Sequence, residues 1–382
     1  MKRICLIALS VILLVPLLPR IRAVELDIAG KSAVLMDVAT GTVLYEKNAH
    51  DPLPPASVTK VMTMLLIMEA IDSGKITWED MVTASETAAA KGGSQIFLKA
   101  GETMSVSDMV KSIAVSSAND AACAMAEHIA GSESAFVDLM NARAEGLGMK
   151  DTHFVNCTGL DDGPDAKNHV TSAYDIALMS RELLKNHPDI KKYTTIWMDT
   201  VRNGEFGLSN TNKLIRFYSG ATGLKTGFTS GAGYCLSATA QRDGLELIAV
   251  VMGCETSQVR NNACKSMLDY GFANFAVVQP EMEEAPTVPV RLGTADNVAV
   301  VPGDVSPLLI DKALKNGITR EIILEETVTA PVTPGQRLGT MTVKAGDRVL
   351  AEIPLNAALE VPRLTWWQLT LLVLKQMCMA KG

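Results

Sequence analysis

The sequence predicts an α+β fold, in which an antiparallel sheet of N-terminal and C-terminal strands flanks a helical insert, followed by a small all-β sandwich. Two short apolar runs at 32–37 and 41–45 flank a turn, which is typical of a hairpin. Residues 79–150 are rich in helical patterns, and apolar or alternating runs at 233–240 and 245–252 then indicate two further strands. The strands of the first domain therefore come from its two ends, with helices between them.

The length and composition favour two domains. The chain has 382 residues, and from about residue 277 prolines separate short β-like runs. We therefore predict a first domain over 24–276 and a β-sandwich domain over 277–361. The net charge is −7 and the sequence contains no Lys/Arg run, so a nucleic-acid partner is not expected.

Residues 1–23 have the pattern of a secretory signal peptide. Lys2 and Arg3 form a positive start, and an apolar stretch at 4–18 follows. A retained membrane anchor is the alternative, but this stretch is shorter than the roughly 20 residues that a membrane span needs. We therefore expect an exported protein.

The C-terminal segment 362–382 is predicted to be an amphipathic membrane anchor. Its apolar part, 364–379, begins with Trp366 and Trp367, and tryptophan favours the membrane interface. Because the segment is short for a span, a helix lying in the plane of the membrane surface is preferred. The alternative is a hydrophobic tail that packs on the β domain.

The most informative stretch is 54–68, where a double proline precedes Ser57, Lys60 and an apolar run. Proline suits the first turn of a helix, and a run that is apolar on nearly every side indicates a central, buried helix. Ser57 and Lys60 then lie one turn apart on the same side. A lysine can remove the proton of a serine hydroxyl only if burial lowers the lysine pKa.

Two further motifs follow in order, Ser117-Ala118-Asn119 and Lys225-Thr226-Gly227. With Ser57-x-x-Lys60 they match the signature of penicillin-binding proteins and class A β-lactamases, except that Ala118 stands where other members carry Gly or Asp. From about residue 31 to its C-terminus the chain resembles the low-molecular-mass penicillin-binding proteins, specifically the serine-type D-Ala-D-Ala carboxypeptidases (peptidase family S11-like). The resemblance implies a β-lactamase/transpeptidase-like first domain, with no metal and no organic cofactor.

The resemblance also implies the catalytic roles. Ser57 is expected to be the nucleophile, Lys60 its general base, and Ser117 the group that relays a proton to the leaving amine. The alternatives are a helix-capping serine for Ser57 and a surface lysine for Lys60.

Four residues are expected to bind the substrate through side chains. Asn119 holds the substrate's backbone amide, with a helix cap as the alternative. Lys225 sets a positive field for the terminal carboxylate, and Thr226 donates a hydrogen bond to it. Arg260 is a candidate second charge for the carboxylate, and a surface salt bridge is its rival.

Gly227 and Phe228, which follows the third motif, are expected to act through the backbone. Gly227 lets a ligand backbone approach the strand closely. The N–H groups of Ser57 and Phe228 are expected to form the oxyanion hole. Phe228 replaces a polar residue of some relatives, which a backbone contact tolerates.

Cysteine and histidine are expected to have no catalytic role. Free buried thiols are preferred over a disulfide for the cysteines that follow the signal, because their spacing is wide: Cys123, Cys157, Cys235, Cys254, Cys264 and Cys378. The histidines are scattered and are expected at surface or loop positions: His50, His128, His153, His169 and His187.

The expected reaction is a two-step acyl transfer that removes the terminal D-Ala from peptidoglycan stem peptides, with β-lactam antibiotics as inhibitors. The expected location is the outer face of the cytoplasmic membrane, in the periplasm or cell-wall space, with peripheral anchoring. The alternatives are a transpeptidase, a β-lactamase and a weakly catalytic penicillin-binding or wall-binding protein.

Overall fold

The computed structural model describes residues 26–379 apart from Glu283 and Asp304, and the side chains of 376–379 are not described. The predicted signal peptide at 1–23 therefore lies outside the described residues. The helices are α1 Lys60–Asp72, α2 Glu86–Ala89, α3 Val106–Ser116, α4 Asn119–Ala130, α5 Glu133–Gly146, α6 Ala173–Asn186, α7 Lys191–Thr194, α8 Leu214–Phe217, α9 Ser257–Asn274 and α10 Trp366–Met379.

The strands fall into an N-terminal and a C-terminal group. The first group is β1 Ser32–Asp37, β2 Val43–Lys47, β3 Met81–Thr83, β4 Thr103–Ser105, β5 Met198–Val201, β6 Phe206–Ser209, β7 Ala221–Thr229, β8 Gly233–Arg242, β9 Leu245–Cys254 and β10 Phe275–Val278. The second is β11 Thr287–Arg291, β12 Asn297–Pro302, β13 Leu308–Asp311, β14 Ile318–Leu324, β15 Val328–Thr329, β16 Arg337–Ala345 and β17 Arg348–Ala357.

The main sheet has five antiparallel strands in the order β2-β1-β9-β8-β7. The N-terminal hairpin thus pairs with strands that follow it by about two hundred residues, as the sequence predicts. β7, which carries the third motif, lies at one edge of the sheet, and among the described residues no strand pairs with its outer side.

Both faces of this sheet are buried. Side chains alternate along β1, so that Val34 and Met36 face the core that contains α1, α3, α4 and α6. Ala33 and Leu35 face a second core, which α9 covers. The mixed architecture confirms the α+β prediction, with strands from both ends of the domain around a helical insert.

Helix α1 runs through the centre of the first core. All of its residues from Lys60 to Met68 are buried, and Ala70 is buried as well. A helix without a polar side must be wrapped by protein on all sides, as the apolar run predicts. The first motif is therefore anchored to a rigid central element.

The C-terminal strands form a six-stranded sheet in the order β14-β16-β17-β12-β11-β15, around a separate apolar core. β13 instead pairs with β10, which directly follows α9. This arrangement confirms the predicted all-β character of the second part of the chain.

Helix α10 follows the second sheet and exposes most of its described apolar side chains. Trp366 and Trp367 are 86% and 81% exposed, and the side chains from Leu371 to Leu374 are exposed as well. Within the described ranges, no helix combines the length and the apolarity that crossing a membrane requires.

Candidate active site

Ser57 lies in a 3-10 turn, Ala56–Thr59, that leads directly into α1. The sequence predicts Ser57 in the first turn of the helix itself, whereas the structure places it in the 3-10 turn immediately before α1. The reason is Ala56, whose φ of +50° is in the left-handed region that L-residues rarely adopt. The chain therefore makes a tight bend immediately before the serine.

Lys60 is in contact with Ser57. Its Nζ lies 2.9 Å from Ser57 Oγ and donates to the carbonyl oxygen of Thr158 at 2.8 Å. The side chain is fully buried, so the predicted catalytic position is favoured over a surface lysine. Burial lowers the pKa of Lys60 from 10.5 to about 7, although Cys157 and Asp120 oppose this change. A substantial fraction of the amine is then neutral at neutral pH and able to accept a proton.

The second motif connects two helices, as predicted. Ser117 follows the end of α3 in a left-handed conformation, with φ of +65°, and only 4% of it is exposed. Asn119 opens α4, and its Nδ2 donates to the carbonyl oxygen of Gly92 at 2.7 Å. The Asn119 side chain does not cap the helix, because the cap position is Ala118 and no side-chain cap bond forms.

Asn119 also has an unused hydrogen-bonding group. Its Oδ1 is buried and has no hydrogen-bond partner among the described residues. A buried amide oxygen without a partner is unfavourable, which makes it a candidate acceptor for a ligand N–H.

The third motif places two polar side chains on β7. Lys225 is 1% exposed, and its Nζ donates to the carbonyl oxygen of Thr226 at 2.9 Å. Burial, together with the charges of Lys60 and Arg260, lowers the pKa of Lys225 well below its usual value. Thr226 Oγ1 donates to Thr211 Oγ1 at 2.7 Å.

Gly227 brings the third motif against the turn that carries Ser57. A Cβ atom at position 227 would lie 2.7 Å from the Pro55 carbonyl oxygen and 3.1 Å from the Ser57 nitrogen. The backbones approach so closely that only glycine fits without a shift. Phe228 is 53% exposed, and its ring centroid lies 4.3 Å from that of Tyr234.

Arg260 is buried on α9, and the structure does not support a surface salt bridge for it. It is 5% exposed, Nε donates to Asn261 Oδ1 at 3.1 Å, and the guanidinium lies 5.8 Å from the Tyr234 ring centroid. Over the described part of the chain, no carboxylate forms an ion pair with it. Arg260 is therefore a buried positive charge whose field reaches Lys225.

Two histidines lie in loops, as expected, but their side chains are buried. His169 is 3% exposed and lies 2.7 Å from Thr59 Oγ1, next to the first motif. His187 is 9% exposed, and its Nδ1 lies 2.5 Å from Asp72 Oδ2. Scattered positions in the sequence carry no signal of these contacts.

Asp120 is a further residue that the sequence analysis missed. Its buried carboxylate accepts the backbone N–H groups of Ile96 and Leu98, at 3.1 and 2.9 Å. It therefore ties the segment before β4 to the start of α4. Acidic residues are common in the first turn of a helix, so the sequence does not indicate this role of Asp120.

The buried thiols agree with the sequence analysis. The five cysteines with described side chains are free and buried: Cys123, Cys157, Cys235, Cys254 and Cys264. Cys378 lies where side chains are not described.

One potential metal-binding cluster lies away from these motifs. Among the described residues, Glu69, Glu182 and His187 form a group whose ligand atoms lie within 4.8 Å of one another. Arg143 already donates to both glutamates at 2.6 Å. A guanidinium thus takes the position that a cation would need, and we assign no metal to this cluster.

Known proteins share both parts of this architecture. The D-alanyl-D-alanine carboxypeptidase family matches residues 20–256, and the penicillin-binding protein 5 C-terminal domain matches residues 280–363. The chain is 44% identical over 342 residues to D-alanyl-D-alanine carboxypeptidase DacF of Bacillus subtilis, and the match covers 88% of this chain and 87% of that protein.

Two solved structures extend the comparison. Penicillin-binding protein 5 from Haemophilus influenzae is 31% identical with a TM-score of 0.72, covering 88% of this chain and 98% of that one. Penicillin-binding protein D2 from Listeria monocytogenes, in the ampicillin-bound form, is 32% identical with a TM-score of 0.57, covering 65% of this chain and 99% of that one. These matches confirm the predicted family: the chain belongs to the serine-type D-alanyl-D-alanine carboxypeptidases among the penicillin-binding proteins.

Proposed function

We propose that Ser57 is the nucleophile of a two-step acyl transfer that releases the terminal D-Ala from peptidoglycan stem peptides. The observation that carries this proposal is the contact of 2.9 Å between Ser57 Oγ and the Nζ of the fully buried Lys60. Because the pKa of Lys60 is lowered to about 7, its neutral amine accepts the hydroxyl proton as Oγ attacks the carbonyl carbon.

Protons and covalent bonds balance over the two steps. In the first, the peptide C–N bond breaks, Ser117 relays a proton to the leaving amine, and D-alanine departs. In the second, water attacks the ester, the peptide leaves with a new carboxyl group, and Ser57 Oγ regains its proton. The buried Ser117, held at the junction of α3 and α4, is suited to this relay.

The positive side chains beside β7 are proposed to bind the terminal carboxylate. Lys225 and Arg260 are buried without carboxylate partners among the described residues, so an incoming carboxylate would neutralise charges whose burial is unfavourable. Thr226 donates to the same group once its hydroxyl proton turns from Thr211 Oγ1 to the carboxylate. Asn119, with its unpartnered Oδ1, accepts the N–H of the substrate's backbone amide.

The backbone N–H groups of Ser57 and Phe228 are proposed to stabilise the tetrahedral oxyanion. The close approach of Gly227 to the Ser57 nitrogen supports this, because it sets the strand that carries Phe228 directly against the turn that carries the Ser57 N–H. A β-lactam presents the same amide and carboxylate, so we propose that penicillins acylate Ser57. The ampicillin-bound form of a relative supports this proposal.

Acylation is tested by intact mass. The full chain is incubated with ampicillin, and the modified peptide is mapped. We expect one adduct, located on Ser57 and absent from Ser57→Ala. An adduct on another residue, or none on folded protein, would contradict the proposed site.

The domains and location extend the proposal. We propose a catalytic domain over 24–276, a β domain over 277–361 and a membrane-surface segment over 362–382, in an exported protein that acts in the periplasm or cell-wall space. The exposed apolar side chains of α10 support a membrane contact over packing on the β domain.

Vesicle flotation tests the membrane contact. The full chain is mixed with phospholipid vesicles, and Trp366→Ser/Trp367→Ser is compared with a control change in the exposed Lys315. We expect the double variant to lose most of the binding, because interfacial tryptophans supply much of the apolar contact. Equal flotation of all three proteins would contradict the proposed contact.

A further inference from the structure

We propose that Thr59 and His169 are positioning residues that orient the peptide unit between Ala56 and Ser57, and with it the Ser57 N–H of the proposed oxyanion hole. The inference rests on the proposed role of Ser57 as the nucleophile. It assigns roles to two residues whose identity the three motifs do not specify.

The hydrogen-bond directions follow from the donors present. The Val155 N–H donates to His169 Nδ1 at 3.0 Å, so Nδ1 is the acceptor and the ring proton resides on Nε2. Nε2 lies 2.7 Å from Thr59 Oγ1 and donates to it. The single hydroxyl proton of Thr59 is then available for the carbonyl oxygen of Ala56, at 2.8 Å. The chain of bonds therefore runs in one direction, from Val155 to Ala56.

The environment keeps this direction fixed. Thr59 is fully buried and His169 is 3% exposed, so water does not compete for their hydrogen bonds. Burial lowers the pKa of His169 to about 4, and His153 and Lys60 add to the effect. The imidazole is thus neutral at physiological pH and keeps Nδ1 free to accept.

The Ala56 carbonyl is the atom that these bonds hold, and it belongs to the same rigid peptide unit as the Ser57 N–H. Because a trans peptide is planar, fixing the direction of the carbonyl fixes the N–H in the opposite direction. Ala56 needs such support, since its φ of +50° is strained for an L-residue.

Gly159 restricts the same carbonyl from a second side. A Cβ atom there would lie 1.9 Å from the Ala56 oxygen, so the backbone of the loop packs directly against it. The neighbouring Thr158 carbonyl accepts the hydrogen bond from Lys60 Nζ. One loop, 155–169, therefore holds both the turn of the nucleophile and its base.

Paired variants of the full chain test the inference. Thr59→Val keeps the shape and removes the hydroxyl, while Thr59→Ser keeps the hydroxyl. His169→Leu removes the donor, while His169→Gln retains an N–H in place of Nε2. For each protein, the acylation rate constant k2 and the binding constant K are measured with a fluorescent penicillin, alongside the thermal unfolding midpoint.

A misaligned oxyanion donor impairs the chemical step more than the initial binding. We expect k2 to fall about 10- to 100-fold in Thr59→Val and His169→Leu with K within about threefold, since loss of a whole donor costs about 10²–10³. Thr59→Ser and His169→Gln should keep k2 within about fivefold. The double variant Thr59→Val/His169→Leu should be no slower than the slower single variant, because both changes break one chain of bonds.

Three results would overturn the inference: an unchanged k2 in folded Thr59→Val, a Thr59→Ser variant as slow as Thr59→Val, or loss of folding in both Thr59→Val and His169→Leu. The last result would assign the pair to the stability of the fold. Wild type and Ser57→Ala are measured in parallel. If wild type is not acylated at Ser57, the proposed function fails; if only the effect of the pair is missing, this inference alone fails.

Discussion

Replacing Lys60 by methionine should abolish acylation and yet stabilise the fold at pH 6. The lysine is fully buried, and burial lowers its pKa from 10.5 to about 7. That difference corresponds to about 5 kcal/mol by which folding disfavours the protonated side chain. Methionine has a similar length and no charge, so the Lys60→Met variant escapes this cost.

Lost hydrogen bonds offset part of this gain in folding stability. Lys60 donates to the buried carbonyl oxygen of Thr158, and leaving that acceptor unpaired costs about 1–3 kcal/mol. We therefore expect Lys60→Met to be more stable than wild type by about 2–4 kcal/mol at pH 6. Activity and stability are opposed at this position because a general base, the role proposed for Lys60, needs an environment that penalises its charge.

The difference should depend on pH with a defined sign. Below pH 7 both the folded and the unfolded states hold the proton, so the full cost lies on the wild-type fold. Between pH 7 and 10.5 only the unfolded state holds it, and the wild-type stability rises by about 1.4 kcal/mol per pH unit. By pH 9 the advantage of Lys60→Met should therefore shrink by about 3 kcal/mol.

Denaturant unfolding of both proteins at pH 6 and pH 9 measures these quantities. Lys225 is common to both chains and contributes to both curves. A variant that is less stable than wild type at pH 6, or a difference that does not change with pH, would show that burial does not penalise the charge of Lys60. In the wild type, the acylation rate should rise with pH, with a midpoint near 7.

Two other changes have defined outcomes. Gly227→Ala forces a Cβ to within 2.7 Å of the Pro55 carbonyl oxygen, so the strand and the Ser57 turn must separate. We expect the unfolding free energy to fall by about 1–3 kcal/mol and the acylation rate by about 100-fold. Unaltered acylation would show that the strand and the turn adapt to the added methyl group. Asn119→Ala removes a buried amide whose Oδ1 has no partner among the described residues. The acylation rate should fall about 10- to 100-fold, with the thermal unfolding midpoint changed by only a few degrees. A loss of stability without an effect on the acylation rate would assign Asn119 a purely structural role.

Much of the fold and the arrangement of the motifs could be predicted from local patterns. The run after Lys60 is apolar on every side, which indicates a buried helix, and a buried lysine one turn from a serine suggests a base. The strands at both ends of the first domain could be recognised by their alternation. Each of these signals depends on neighbouring residues in the sequence.

The remaining features depend on contacts that no local pattern encodes. Thr59 and His169 are 110 positions apart, and their hydrogen bond exists only because the loop folds over the turn. The sequence does not indicate the left-handed conformation of Ala56, since alanine does not favour this conformation. A charged residue such as Arg260 suggests a surface position, whereas tertiary packing buries it.

The most direct test of the account is the release of D-alanine by the full chain from a tripeptide that ends in D-Ala-D-Ala. Wild type and Ser57→Ala are compared, with an acceptor amine added in a parallel reaction. We expect free D-alanine and a shortened peptide acid from wild type and neither product from Ser57→Ala. Release that persists in folded Ser57→Ala, or formation of the amine-linked peptide in place of the acid, would contradict it.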